Sequence, residues 1–197
     1  MVPNVDDAVR LSPEDLRVVL PVRHSSTACA GAVAGFLLRR IAYRAGAYAP
    51  GIQEFLWHEL NSSAYGRSVD TVGTWMVTHA RDLHELGYRL LGRRVMGERT
   101  DAILSWIREG KGYRGAILST EYKRLHPAET DAGEFEHAVG VTIDRVDPKS
   151  AEDLVMVDPW PGTKNGARER GAVPAALEAA HRKNKYAALI IYWAGWS

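Results

Sequence analysis

The run from Ala28 to Gly46, ACAGAVAGFLLRRIAYRAG, carries no charged residue before Arg39. Ala and Leu favour helix, and a helix that is apolar all round has to be enclosed. The rest of the chain is therefore expected to wrap around one central helix that ends at Gly46. The two Arg pairs, Arg39-Arg40 and Arg93-Arg94, sit among apolar residues at helical spacing and read as solvated helix faces.

Around that helix the elements fall into two halves. Residues 1–16 read as an N-terminal arm, with Ser12-Pro13-Glu14 opening a helical turn. Arg17 to Val22 (RVVLPV) is a short β-rich run, and Ser25-Ser26-Thr27 offers a hydroxyl cap to the following helix. SVDTVGTWMVTHARDLHELG reads as one helix ended by Gly87, and Tyr88 to Val95 as a short strand. RTDAILSWIRE is helical to Glu109. Beyond Gly110 the pattern changes to β-branched and aromatic runs: GAILSTEY, HAVGVTIDRV, DLVMVDPW and AALIIYWAGW. GTKNGARERGAV reads as an exposed loop and VPAALEAAHRKN as a helix. Helices followed by strands indicate an α+β domain. The expectation is one domain over 1–197, with a mainly helical half at 17–110 and a mainly β half at 111–197.

Composition narrows the class of protein. The 197 residues carry 25 basic and 24 acidic side chains, a net charge of +1, which lacks the basic surplus of a dedicated nucleic-acid binder. No stretch reaches the ~20 apolar residues that span a bilayer. One cysteine allows no internal disulfide, and the polar N-terminus does not resemble a secretory signal. The default compartment is the cytoplasm; export by another route, or delivery as an effector, would leave no mark on these residues. His79, His84, His126 and His181 are scattered and give no metal-ligand spacing, so neither a metal nor another cofactor is expected.

Three residues invite a chemical reading. Cys29 falls in the first turn of the apolar helix, two residues after Thr27; His137 opens one strand run; Asp158 closes the next, before Pro159-Trp160. A helix N-terminus presents unpaired N–H groups and partial positive charge. That favours thiolate over thiol and offers donors to an oxyanion. A histidine near the sulfur can take its proton, and a carboxylate behind the ring can fix its orientation. Two adjacent antiparallel strands would bring His137 and Asp158 together. Taken singly, a buried Cys, a strand His and an Asp before Pro each have ordinary structural readings.

The ordered set PVRHSSTACAGAVAGFLLRR, GRSVDTVGTWMVTHARDLHELGYRL, RTDAILSWIREGKGYRGAILS, EHAVGVTIDRV and DLVMVDPWPG resembles the papain-like cysteine peptidase superfamily. Within it, the likeness is to the bacteriocin-processing peptidases that cleave double-glycine leaders, and it runs over residues 17–162. The resemblance implies an α+β papain-like fold, with an N-terminal helical part carrying the Cys helix packed on a C-terminal antiparallel sheet. It implies Cys29 as nucleophile, His137 as base and Asp158 as orienting residue. Two positions depart from the family pattern: Arg23 stands where an oxyanion-hole Gln is usual, and Ala28-Cys29-Ala30 where Asp-Cys-Gly is favoured. Arg23 and His24 are then candidate oxyanion or site-lining groups, and Trp160 a candidate shield for the His–Asp contact.

The expected activity is hydrolysis of a peptide or amide bond in a peptide or protein substrate, with no nucleic-acid or membrane partner. The same triad also suits a deamidase, transamidase or acyltransferase, and the fold alone could serve as a peptide-binding module without catalysis.

Overall fold

The computed structural model describes residues 28–60, 65–90, 100–109, 113–125, 136–144, 153–159 and 188–193. The expected arm at 1–16, the strand at 17–22, the Ser25-Ser26-Thr27 cap, Arg23, His24, Arg93-Arg94, Trp160, the 162–173 loop and the helix after it lie outside these residues.

The apolar run forms α1, Cys29–Arg44, and Gly46 follows it with φ 72°, the left-handed backbone that stops a helix. Two short helices come next, α2 (Pro50–Leu60) and α3 (Val69–Thr78). Ser68 starts α3 with a reciprocal capping box: its hydroxyl accepts from the Thr71 N–H, and Thr71 Oγ1 accepts from the Ser68 N–H. Then follow α4 (Ala80–Glu85), β1 (Tyr88–Leu90), α5 (Thr100–Glu109), β2 (Arg114–Glu121), α6 (Tyr122–Leu125), β3 (Glu136–Asp144), β4 (Asp153–Val157) and β5 (Ala188–Trp193). The described strands form one antiparallel sheet in the order β1-β5-β2-β3-β4. The class is α+β, as the order of helices and strands indicates.

The structure corrects several expectations. The 68–87 segment is two helices rather than one, because His79 leaves helical dihedrals (φ −101°, ψ 22°). There its ring packs on Trp75 at 4.7 Å and its Nδ1 lies 3.3 Å from Asp82, contacts that hold the break. Helices α2 and α6 appear where no helix is expected. The strand at Tyr88 extends only to Leu90 among the described residues, and it joins the sheet through the last strand, so the helical half also contributes to the sheet. Arg39 and Arg40 are buried, at 1% and 3% exposure, not solvated. The reason is packing on several sides: α1 meets α2, α3, β2, β3 and β5, leaving no open face at its middle.

How α1 meets the sheet decides where its first residue points. Cys29, Val33 and Leu37 follow at i, i+4 and i+8 on one helical stripe. A Cβ on Gly140 of β3 would stand 2.7 Å from Val33 Cγ1, and one on Gly115 of β2 would stand 3.0 Å from Leu37 Cδ2. Bare backbone at these positions lets the stripe sit directly on the sheet. At the helix start Gly31 is just as crowded: its N–H donates to Gly66 O at 3.0 Å, and a Cβ there would collide with the carbonyl oxygen of Leu60. Tyr88 ties the other side, donating its hydroxyl to Leu38 O at 2.7 Å.

Gly31→Ala forces a methyl group against backbone that cannot swing aside. It is expected to cost about 1–3 kcal/mol in urea unfolding. Gly51→Ala, where a Cβ meets nothing within 4 Å, is the matched control and is expected to be neutral or to gain up to about 1 kcal/mol. Equal effects of the two substitutions would contradict the close-approach account.

Candidate active site

Cys29 is the first residue of α1. The N-cap is Ala28, not Thr27, and it makes no side-chain cap hydrogen bond. Of the N–H groups that a helix start leaves without intrahelical partners, that of Gly31 is taken by Gly66 O. The half-buried Cys29 thiol feels the side chain of His137 and the backbone of Ala138 and Ala30. On its other side Sγ lies 4.0 Å from the carbonyl oxygen of Arg67, a contact that only a neutral thiol can use as donor. The turn carrying Gly66 and Arg67 therefore supports the helix start and borders the sulfur.

His137 is the second residue of β3, opposite Thr120 of β2, whose hydroxyl donates to the His137 carbonyl at 2.8 Å. Asp158 follows β4. The register pairs Gly140 with Val157, so one further step sets Asp158 opposite Val139, two residues from His137 on the same side of the strand. The outcome is a contact of 2.7 Å between His137 Nε2 and Asp158 Oδ1, with the two side chains 1% and 0% exposed. A carboxylate only accepts, so Nε2 carries the proton, and Nδ1 is left as the nitrogen that serves Cys29.

The charge state follows from these contacts. Burial by itself pushes the Cys29 thiol up. The hydrogen bond from His137, the Ala138 and Ala30 amides and the positive charge on His137 outweigh it and hold the thiol below its ordinary 9.0. Burial by itself pulls His137 down. The Asp158 and Cys29 hydrogen bonds and their negative charges reverse this and raise it to about 9. Both shifts favour thiolate beside imidazolium over the neutral thiol–imidazole pair. On the acid side the pair is lost when the thiolate takes a proton; above about pH 9 it is lost when the imidazolium gives one up.

The three residues expected to act together are thus in one cluster. Arg23, His24 and Trp160 lie outside the described residues. Sequence reasoning missed Tyr122, whose ring packs at 5.3 Å and 86° to that of His137, and the backbone donors of Ala30 and Ala138. Tyr122 was traceable in one respect: it ends the apolar run preceding the His strand. Among the described residues no three His, Cys, Asp or Glu side chains gather as a metal site, and no helix is long and apolar enough to cross a membrane. No protein-family model matches the chain, and neither a curated protein nor a solved structure gives a significant match to it.

NMR titration of the His137 ring tests the electrostatics. The wild-type ring is expected to keep its second proton up to about pH 9. In Asp158→Asn, with the anionic acceptor gone, the midpoint is expected to fall by at least about one unit. A wild-type midpoint near 6.5 would refute the ion pair.

Proposed function

We propose that this chain is a papain-like thiol hydrolase that cleaves a peptide or amide bond through an acyl-enzyme on Cys29. The observation that carries the reading is the buried His137–Asp158 contact of 2.7 Å behind a sulfur held at the start of α1. A structural cysteine has no need of an imidazolium, nor that imidazolium of a buried carboxylate. The order of the Cys helix, His strand and Asp-Pro turn adds the likeness to bacteriocin-processing peptidases, and with it the expectation of a peptide or protein substrate. A free thiol suits the reducing cytoplasm, the compartment proposed.

In this mechanism the Cys29 thiolate attacks the carbonyl carbon and the C=O electrons move onto oxygen. The Cys29 amide at the start of α1 faces no side-chain cap and is the donor proposed for that oxyanion. As the tetrahedral species collapses, the C–N bond breaks and the His137 imidazolium delivers its Nδ1 proton to the departing amine. The neutral imidazole then takes a proton from water, and the resulting hydroxide attacks the thioester. The C–S bond breaks, the acid product leaves, and the thiolate–imidazolium pair is restored. Asp158 keeps Nε2–H aligned throughout and stays ionised.

Screening peptide libraries against wild type and Cys29→Ala, with mass spectrometry of the products, tests the proposal. Backbone cleavage by wild type and a loss of about 10³-fold or more in Cys29→Ala is the expected result. Side-chain deamidation, a gain of about one dalton without a cut, would move the reaction to the acyl-transfer alternatives. Tight peptide binding that is unchanged in Cys29→Ala and without any turnover would sink the enzymatic reading.

A further inference from the structure

The His137 ring has two nitrogens that must point in different directions at once, Nε2 to Asp158 and Nδ1 to Cys29. An imidazole turns about its Cβ–Cγ bond in a broad torsional well, and any such turn carries both ring nitrogens off their partners together, so what packs against the ring bears on both contacts.

We infer that Tyr122 is the positioning residue for His137, its ring acting as the wall that sets the plane of the imidazole. Tyr122 is the first residue of α6, immediately after β2, two positions beyond the Thr120 that faces His137. It is fully buried, and its ring centroid lies 5.3 Å from that of His137 with the planes at 86°, the edge-to-face geometry that aromatic rings prefer. The turn from β2 into α6 at this point takes Tyr122 out of the strand. The His137 ring thus meets Cys29 from α1, Asp158 from the end of β4 and Tyr122 from α6.

Among the described residues, Asp158 and Cys29 are the charges that act on His137. Glu136, its neighbour in β3, is exposed and accepts from the Ser119 hydroxyl at 2.6 Å, and Glu121 pairs across from Glu136 at the strand end. Tyr122 adds no charge, and its ring acts on the pair through the alignment of the imidazole. This deepens the proposed function, because it assigns the residue that keeps the base aligned, but it needs only the Cys29–His137–Asp158 cluster and not turnover.

The test follows the His137 ring by NMR as a function of pH, with no substrate present. Tyr122→Leu keeps the site apolar and removes the flat wall; the alkaline limb of the ion pair is expected to move down by roughly one pH unit, the scale of weakening a charge-assisted hydrogen bond. Tyr122→Phe keeps the ring and is expected to titrate like wild type. Loss of shielding alone would admit water and move the limb up, the opposite direction. Where Tyr122→Leu does not fold, Tyr122→Met is read instead, with circular dichroism to establish folding. In the Asp158→Asn background the Tyr122 effect is expected to shrink to less than half, because a ring with one anchor gains little from alignment. An unchanged or raised limb in the Leu or Met variant, a Phe variant that shifts as far as they do, or an undiminished effect in Asp158→Asn would each overturn the inference. Absence of peptide cleavage by the wild type would instead count against the proposed hydrolase and leave this titration intact.

Discussion

The contact of α1 with the glycine backbone of the sheet governs the rest of the structure. Val33 rests over Gly140 and Leu37 over Gly115, and a helix has no freedom to choose where position i−4 falls once i and i+4 are seated. With Val33 and Leu37 down, Cys29 has to point toward the His137–Ala138 end of β3. The lower end is locked by Gly31 against Leu60 and Gly66. A side chain at any of these glycines would lift or slide the helix, and a shift of an ångström at the sulfur would be enough to break its alignment with the imidazole.

The electrostatics then follow from burial acting on Cys29, His137 and Asp158 together. A buried imidazolium alone would be expelled as neutral imidazole, and a buried thiolate alone as thiol. Together with Asp158 they satisfy one another: the carboxylate holds the imidazolium, the imidazolium holds the thiolate, and two backbone amides share the sulfur's charge. The helix start contributes through geometry as much as through its dipole, since Ala28 provides no side chain to occupy the N–H groups there. Tyr122 closes the cluster from the β2–α6 corner.

Much of this could be read in the chain itself. The central helix is legible because its apolar run has no alternative but enclosure, and the Cys, His and Asp because each sits at an element boundary where chemistry is geometrically possible. The errors have a common origin in long-range packing. Arg39 and Arg40 look like a solvated face because helical period reports spacing and not how many neighbours surround the helix. No helix is expected at Pro50, yet Pro is well suited to a first helical turn and α2 starts there. The break at His79 depends on ring packing against Trp75 and a contact with Asp82, neither visible as period. Tyr122 looks like the last residue of a strand; that its ring meets His137 depends on the β2–β3 register, which sets Thr120 opposite His137.

The central claim is that Cys29 is an activated nucleophile because His137 and Asp158 ionise it. The rate of Cys29 alkylation by iodoacetamide at pH 6.5 measures this most directly, followed by intact mass in wild type and His137→Ala and compared with a model thiol of ordinary pKa. The account predicts that wild-type Cys29 reacts at least about tenfold faster than the model thiol, since His137 holds its thiol below the ordinary value. Substitution of His137 is predicted to remove the advantage. A wild-type rate at or below that of the model thiol, or one indifferent to His137, would contradict it.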